Sequence, residues 1–144
     1  MKNKKTTNVI CAGGIVINNK NEVAIVNQNH DSYSLPKGHV DNNESYLDAA
    51  KREIYEETGI KDLEYIKELG SYSRYKIGLD GKDDLSELKT IHIYLFKSNQ
   101  IKLTPKDPHN PFAIWVEPNK VDKYLTHQAD CNFFNDSIKL WIKK

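Results

Sequence analysis

Residues 38–60 read GHVDNNESYLDAAKREIYEETGI and hold Gly38, Glu44, Arg52, Glu53, Glu56, Glu57 and Gly59 in one fixed frame. Glu53, Glu56 and Glu57 stand at i, i+3 and i+4, a spacing that stacks three carboxylates on one face of a helix. Leu47, Ala50 and Ile54 recur at helical spacing and give the same segment an apolar seam, so Ser45 to Glu57 is predicted helical. Thr58-Gly59 supplies the stop, because glycine takes the left-handed conformation beyond a helix end without steric cost. Like charges stacked this way repel by about 0.2–0.5 kcal/mol per pair in an isolated helix. A divalent cation reverses the sign of that interaction, and hard carboxylate oxygens suit Mg²⁺ or Mn²⁺. Taken alone, the three glutamates could also be a solvated acidic face; the joint pattern argues for a metal-holding helix.

The chain has 144 residues, enough for a single domain (residues 1–144) with a real core. Its net charge is +1 with both signs interspersed. That balance marks neither a broad nucleic-acid surface nor a polybasic membrane patch. MKNKKTT followed by Val9–Ile17 imitates a secretory leader, but Gly13-Gly14 interrupts the apolar run, and Asn18-Asn19-Lys20-Asn21 stands where small residues should precede cleavage. No segment reaches the ~18 apolar residues of a membrane span. Cys11 and Cys131 are unclustered and read as free thiols. The expectation is a reduced, cytoplasmic enzyme, monomer or homodimer, without a stable nucleic-acid partner.

No repeat or low-complexity linker divides the chain. Val9–Asn18 reads as a strand, with Glu22–Gln28 its hairpin partner. Leu35–His39 reads as a loop, punctuated by Pro36 and Gly38. Leu63–Tyr75 suggests strands around a turn at Leu69-Gly70, and Ile77–Leu88 a polar loop. Thr90–Lys97 alternates as a strand; Ala113–Val116 begins another before Glu117-Pro118 opens a helix. Asp136–Ile142 is expected to be a C-terminal helix with Ile138, Trp141 and Ile142 inward. Strands interleaved with helices imply an α+β chain whose mixed sheet is covered on both sides.

The frame of residues 38–60 resembles the signature of the Nudix hydrolases (MutT-like): Gly, five residues, Glu, seven residues, Arg-Glu-apolar-x-Glu-Glu-x-Gly-apolar. Ile54 and Ile60 fill the apolar slots. The resemblance implies the Nudix fold, an α/β/α sandwich with a mixed sheet between helices. It also implies hydrolysis of compounds in which a nucleoside diphosphate is linked to another group. Glu53, Glu56 and Glu57 would then coordinate one or more Mg²⁺ or Mn²⁺ ions, with the Gly38 carbonyl joining them. Arg52 would orient Glu53, Glu56 or Glu44 through paired hydrogen bonds, and Glu44 would support the site or the helix N-terminus. The family's general base often lies in a loop ahead of the strand holding Trp115. This chain offers Asp107 or His109 there where relatives carry Glu, with Glu53 as a further candidate.

Leu35-Pro36-Lys37-Gly38-His39-Val40 is similar to the entry into the signature of asymmetrical diadenosine tetraphosphate hydrolases, as is the run around Lys89 that precedes IKLTP and AIWV. That likeness nominates Lys37, His39 and Lys89 for substrate contacts. It nominates Tyr75, or Tyr72 at a poorer spacing, for stacking on a base; a core or surface role for Tyr75 stands beside it. ADP-ribose-cleaving relatives often place Pro where Tyr75-Lys76 stands. Three functions result: cleavage of dinucleoside polyphosphates, pyrophosphohydrolysis of canonical or oxidised (d)NTPs, and nucleotide binding by a regulator without turnover. The intact glutamate set weighs against the last. In each, a small-molecule nucleotide is the partner.

Overall fold

The computed structural model describes residues 5–28, 32–78, 80–107 and 112–142. Its centre is β1 (Thr7–Ile17), which runs parallel to β6 (Asp83–Lys97) in unbroken register from Thr7↔Glu87 to Ile17↔Lys97. β5 (Glu64–Ile77) lies antiparallel on the far side of β6. On its other edge β1 meets β2 (Val23–Gln28) only at Ile17↔Val23, so its middle is free to pair with β4 (Lys37–His39) at Cys11↔His39 and Gly13↔Lys37. β2 carries β3 (Ser32–Ser34) and, on the opposite edge, β7 (Phe112–Val116). One parallel pair among antiparallel ones makes the sheet mixed, as expected.

Strand alternation divides the core into two layers. Ala12 and Val16 of β1, with Tyr94 and Phe96 of β6, pack under Ala49, Ala50 and Ile54 of α1 (Tyr46–Thr58). Cys11, Ile15 and Ile17, with Ile91, Ile93 and Leu95, face the other way. They meet Val121 and Leu125 at α2 (Val121–Tyr124) and Cys131 and Phe134 of α3 (Gln128–Ser137). Helices therefore cover both faces of the sheet. Full burial of each such side chain is worth about 1.5–3 kcal/mol before entropy is charged against it.

The ends of α1 are set locally. Ser45 accepts from the Asp48 N–H at 3.0 Å as N-cap, and Gly59 closes the helix at φ 77° with its N–H donating to the Tyr55 carbonyl at 2.7 Å. A methyl group at Gly59 would also overlap the Thr104 carbonyl, so the position excludes side chains twice over.

Four expectations change. Leu35–His39 is not all loop: Lys37–His39 forms β4, drawn into the sheet by the edge of β1 that β2 leaves open. No turn divides residues 63–75. β5 runs through Leu69-Gly70, where Gly70 at φ 122° accompanies a register shift, so the glycine marks a bulge. The polar segment 77–88 is mostly strand, with only a short turn closed by the Gly78 N–H on the Lys82 carbonyl at 2.8 Å. The C-terminal helix starts earlier, at Gln128, because His127 Nδ1 accepts from the Ala129 N–H and caps it; Ile138–Leu140 follows as a 3₁₀ turn. Ile138 and Trp141 do pack against the α3 layer. Among the described residues no helix is long and apolar enough to cross a membrane.

Candidate active site

α1 presents its carboxylates toward β4. Arg52 is the hub of their exposed side. Its Nε and Nη2 grip Glu44 at 2.8 and 2.9 Å, Nη1 reaches Glu53 at 2.7 Å and Glu56 at 3.4 Å, and Nη2 also donates to the His39 carbonyl at 2.9 Å. One guanidinium thus ties the helix to the strand that precedes it. Hydrogen bonding to Arg52 holds the Glu44 carboxyl down at about 2, and Glu44 in turn raises Arg52 further above its usual range. Arg52 makes hydrogen bonds to all three of the carboxylates that the sequence pattern named for it, Glu44, Glu53 and Glu56.

Glu53 and Glu57 form the inner pair. Glu57 is buried, accepts the Lys37 N–H at 3.3 Å, and is pushed up to about 8 by burial, which the nearby Lys37 charge opposes and the Glu53 charge reinforces. Burial also raises Glu53, against the pull of Arg52. Gly38 lies so close that a methyl group there would overlap the Glu53 carboxylate. Glu56, with its side chain 41% exposed, sits at the rim.

Among the described residues, no three His, Cys, Asp or Glu side chains stand ready-made around one ion position. The donor chemistry nonetheless fits a hard divalent ion: burial and mutual repulsion raise the half-buried Glu53 and buried Glu57 carboxyls toward their protonated forms, and such an ion would take the place of the proton. Glu53 and Glu57 would hold it, with Glu56 and the Gly38 carbonyl at hand.

Beside this pair the sheet carries a cationic face. Lys37↔Gly13 and His39↔Cys11 on β4, Val9↔Lys89 on β6 and Lys89↔Arg74 on β5 are register pairs, and paired residues share a face. Lys37, Lys89 and Arg74 all act on the Cys11 thiol, which burial raises and these cations pull back. Lys89 is lowered to about 8 by burial first, then by Lys37. His39 is at the margin, 3.9 Å from Glu87 with its side chain 61% exposed. The structure brings Lys37, His39 and Lys89 together.

Tyr75 is not on that face. It pairs with Leu88 and points to the opposite side of β5 from Arg74, near Thr6 and Leu85. Tyr72 is the tyrosine of the cationic face; it stacks on Phe133 at 4.7 Å and donates to Asp130. The 104–107 loop closes on the end of α1: the Lys106 and Asp107 N–H groups donate to the Glu56 carbonyl at 2.8 and 2.9 Å. Asp107 thus begins next to the carboxylate helix; His109 lies outside the described residues. Sequence reading passed over Arg74 and Asp130. The alternation Tyr72, Arg74 within SYSRYKI was the signal available for the first; nothing local marked Asp130.

A NUDIX domain model matches residues 7–135. The chain is similar to the RNA pyrophosphohydrolase of Pelagibacter ubique, 34% identical over 116 residues that cover 72% of this chain and 73% of that protein. With the RNA pyrophosphohydrolase of Nitrobacter winogradskyi it shares 38% over 122 residues, 73% of this chain and 72% of that one. With the Bartonella henselae protein of the same name it shares 54% over only 43 residues, a quarter of that protein's length. In fold it resembles a MutT protein from Methanosarcina mazei, TM-score 0.72 at 20% identity over 96% of this chain and 99% of that one. It also resembles an Ap4A hydrolase from C. elegans, TM-score 0.74 at 19% identity over 92% and 96%. A sheet layered between helices, a carboxylate helix tied down by Arg52 and a matched domain over nearly its whole length agree: this chain belongs to the Nudix hydrolases, pyrophosphohydrolases that act on phosphoanhydride bonds with the help of divalent metal ions.

Proposed function

We propose that this chain is a Mg²⁺- or Mn²⁺-dependent pyrophosphohydrolase of nucleoside 5′-polyphosphates, cleaving diadenosine tetraphosphate in preference to ADP-ribose or single dNTPs. The observation that carries the reading is the pair of ammonium groups on Lys37 and Lys89. Lys37 is only 3% exposed, burial lowers Lys89, and neither side chain has a carboxylate ion pair among the described residues. A buried and a half-buried ammonium group with no ion pair of their own, flanked at longer range by Glu57 and Glu87, have donors to spare for an anion, and a phosphate chain supplies several. Lys37 lies beside Glu57, where the reacting phosphoanhydride belongs, and Lys89 lies beyond it, next to Lys37.

A divalent ion bound by Glu53 and Glu57 would supply the positive charge that the developing phosphoryl oxygens need. Arg52 fixes the Glu53 carboxylate, while Lys37 and Lys89 align the phosphate chain; positioning and electrostatics do most of the work in such chemistry. Asp107, Glu53 and His109 remain the candidates to take the proton of the attacking water. The buried thiols of Cys11 and Cys131 suit a reducing, cytoplasmic setting.

A second reading, removal of pyrophosphate from 5′-triphosphorylated RNA, is favoured by the names of the Pelagibacter and Nitrobacter relatives. Both substrates present an adenine-compatible 5′-polyphosphate to the same cations. The deciding experiment is a turnover panel with Mg²⁺ and with Mn²⁺: diadenosine tetraphosphate, a triphosphorylated RNA oligomer, ADP-ribose and dNTPs. Diadenosine tetraphosphate should show the highest kcat/KM of the small molecules. A tenfold advantage for the RNA oligomer would establish the second reading, and one for a dNTP would displace both.

A further inference from the structure

On the cationic face, Arg74 stands apart from the two lysines in how it is held. It is 5% exposed, its Nε donates to Asp130 at 3.0 Å, and Nη1 donates to the Tyr75 carbonyl at 3.3 Å. Asp130 is itself 1% exposed, sits in the first turn of α3 and accepts from the Tyr72 hydroxyl. Nη2 of Arg74 has no protein acceptor among the described residues.

Two physical points argue against a purely structural ion pair. Burying an arginine and an aspartate together costs about as much in desolvation as their attraction returns, so stability alone does not favour the pair over apolar residues. In addition, Arg74 sits across the β5–β6 ladder from Lys89 in direct register, and the two like charges share one face. Asp130 and Glu87 offset that repulsion in part, and an anion joining the two cations would offset it further. Asp130 neutralises the guanidinium at Nε and, with Tyr72, fixes its plane, leaving Nη2 as the donor without a protein acceptor among the described residues.

Resting on the polyphosphate reading above, we infer that Arg74 is a third anion-binding cation and sets the length of phosphate chain the site prefers. In this arrangement Lys37, next to Glu57, takes the phosphoryl group nearest the carboxylates. Arg74, two strands beyond β1 on β5, takes the group furthest from them. Adjacent strands lie about 4.8 Å apart, so Arg74 extends the reach of the cluster beyond a single diphosphate. Asp130 and Tyr72 are positioning residues that act through Arg74.

The test uses the full chain and two probes that need no turnover, inorganic tripolyphosphate and inorganic pyrophosphate, measured by titration calorimetry. Arg74→Lys keeps charge but loses the fixed donor. The double variant Arg74→Met with Asp130→Leu removes the buried pair while keeping volume, which guards against an unfolded single variant; thermal unfolding confirms that each folds. Tripolyphosphate affinity should fall tenfold or more in the double variant and less in Arg74→Lys, while pyrophosphate affinity changes by under threefold. In turnover, kcat/KM for diadenosine tetraphosphate should fall at least tenfold more than that for ADP-ribose. An equal loss for both probes, or no loss in a folded variant, overturns the inference. A wild-type protein that binds tripolyphosphate through Arg74 but cleaves no nucleotide would refute the proposed function and leave this assignment standing.

Discussion

At the scale of single residues, the site is governed by where charge is buried. Glu53 and Glu57 are isosteric with Gln, so Glu53→Gln and Glu57→Gln remove the charge of the two proposed metal ligands while keeping shape. Each should lower kcat by several orders of magnitude with the fold intact by circular dichroism; near-normal Mg²⁺-dependent turnover in both would refute their assignment. The raised Glu57 carboxyl also makes a pH prediction. With a folded value of about 8 against an ordinary 4.5, the metal-free native state binds the extra proton. Its stability is therefore fully present below pH 4.5 and declines as pH rises toward 8, by at most ~1.4 kcal/mol per pH unit for one group. Melting temperature of the metal-free protein should follow that slope, and Glu57→Gln should flatten it. Because a cation must displace the same proton, Mn²⁺ affinity should climb over the same range. Tyr75 supplies a third test. Since it lies on the opposite side of β5 from Arg74, Tyr75→Ala should leave KM near the wild-type value; a tenfold rise in KM at unchanged kcat would restore base stacking, which is worth ~1–3 kcal/mol.

At the scale of elements, α1 shows how a motif and its supports are read differently. Its seam, carboxylate face and Gly59 stop are local properties of consecutive residues, and each was legible in the sequence because helix geometry fixes them, whereas Ser45, read as the first helical residue, is its N-cap. The strand that completes the site was not. Lys37–His39 carries loop-forming residues and becomes β4 only because β1 has an unpaired edge at Cys11–Gly13. This gives Gly38 its role, packed against Glu53 where no side chain fits. Gly38→Ala should cut kcat at least a hundredfold by pushing the Glu53 carboxylate aside, while lowering stability far less than a core truncation; a variant with normal kcat would remove Gly38 from the site. The missed extension of β5 and β6 has a similar cause. Residues 83–88 are mostly polar and break no helical or strand rule, but Asp83, Asp84 and Leu88 gain ladder partners on β5, and Glu87 and Leu88 gain them on β1.

At the scale of the whole molecule, the sheet is the platform and its two apolar layers hold the site level. Phe96 lies fully buried under α1 and Phe134 fully buried in the α3 layer. Each truncation to Ala should destabilise by about 3–5 kcal/mol. Phe96→Ala should also loosen metal binding, since it undercuts the carboxylate helix, whereas Phe134→Ala should weaken tripolyphosphate binding first. Denaturant unfolding together with Mn²⁺ and tripolyphosphate titrations separates the two. By itself the sequence determined the family, the carboxylate helix, its Gly59 stop and the carboxylate partners of Arg52, because all depend on spacing within some twenty consecutive residues. It also nominated Lys37, His39 and Lys89. Only the tertiary structure decided which basic and aromatic residues share a face. Lys37, Lys89, Arg74 and Asp130 come from β4, β6, β5 and α3, and their meeting depends on strand register. A shift of one residue in that register turns a side chain to the other side of the sheet, as it does for Tyr75 beside Arg74, and no local pattern encodes the choice.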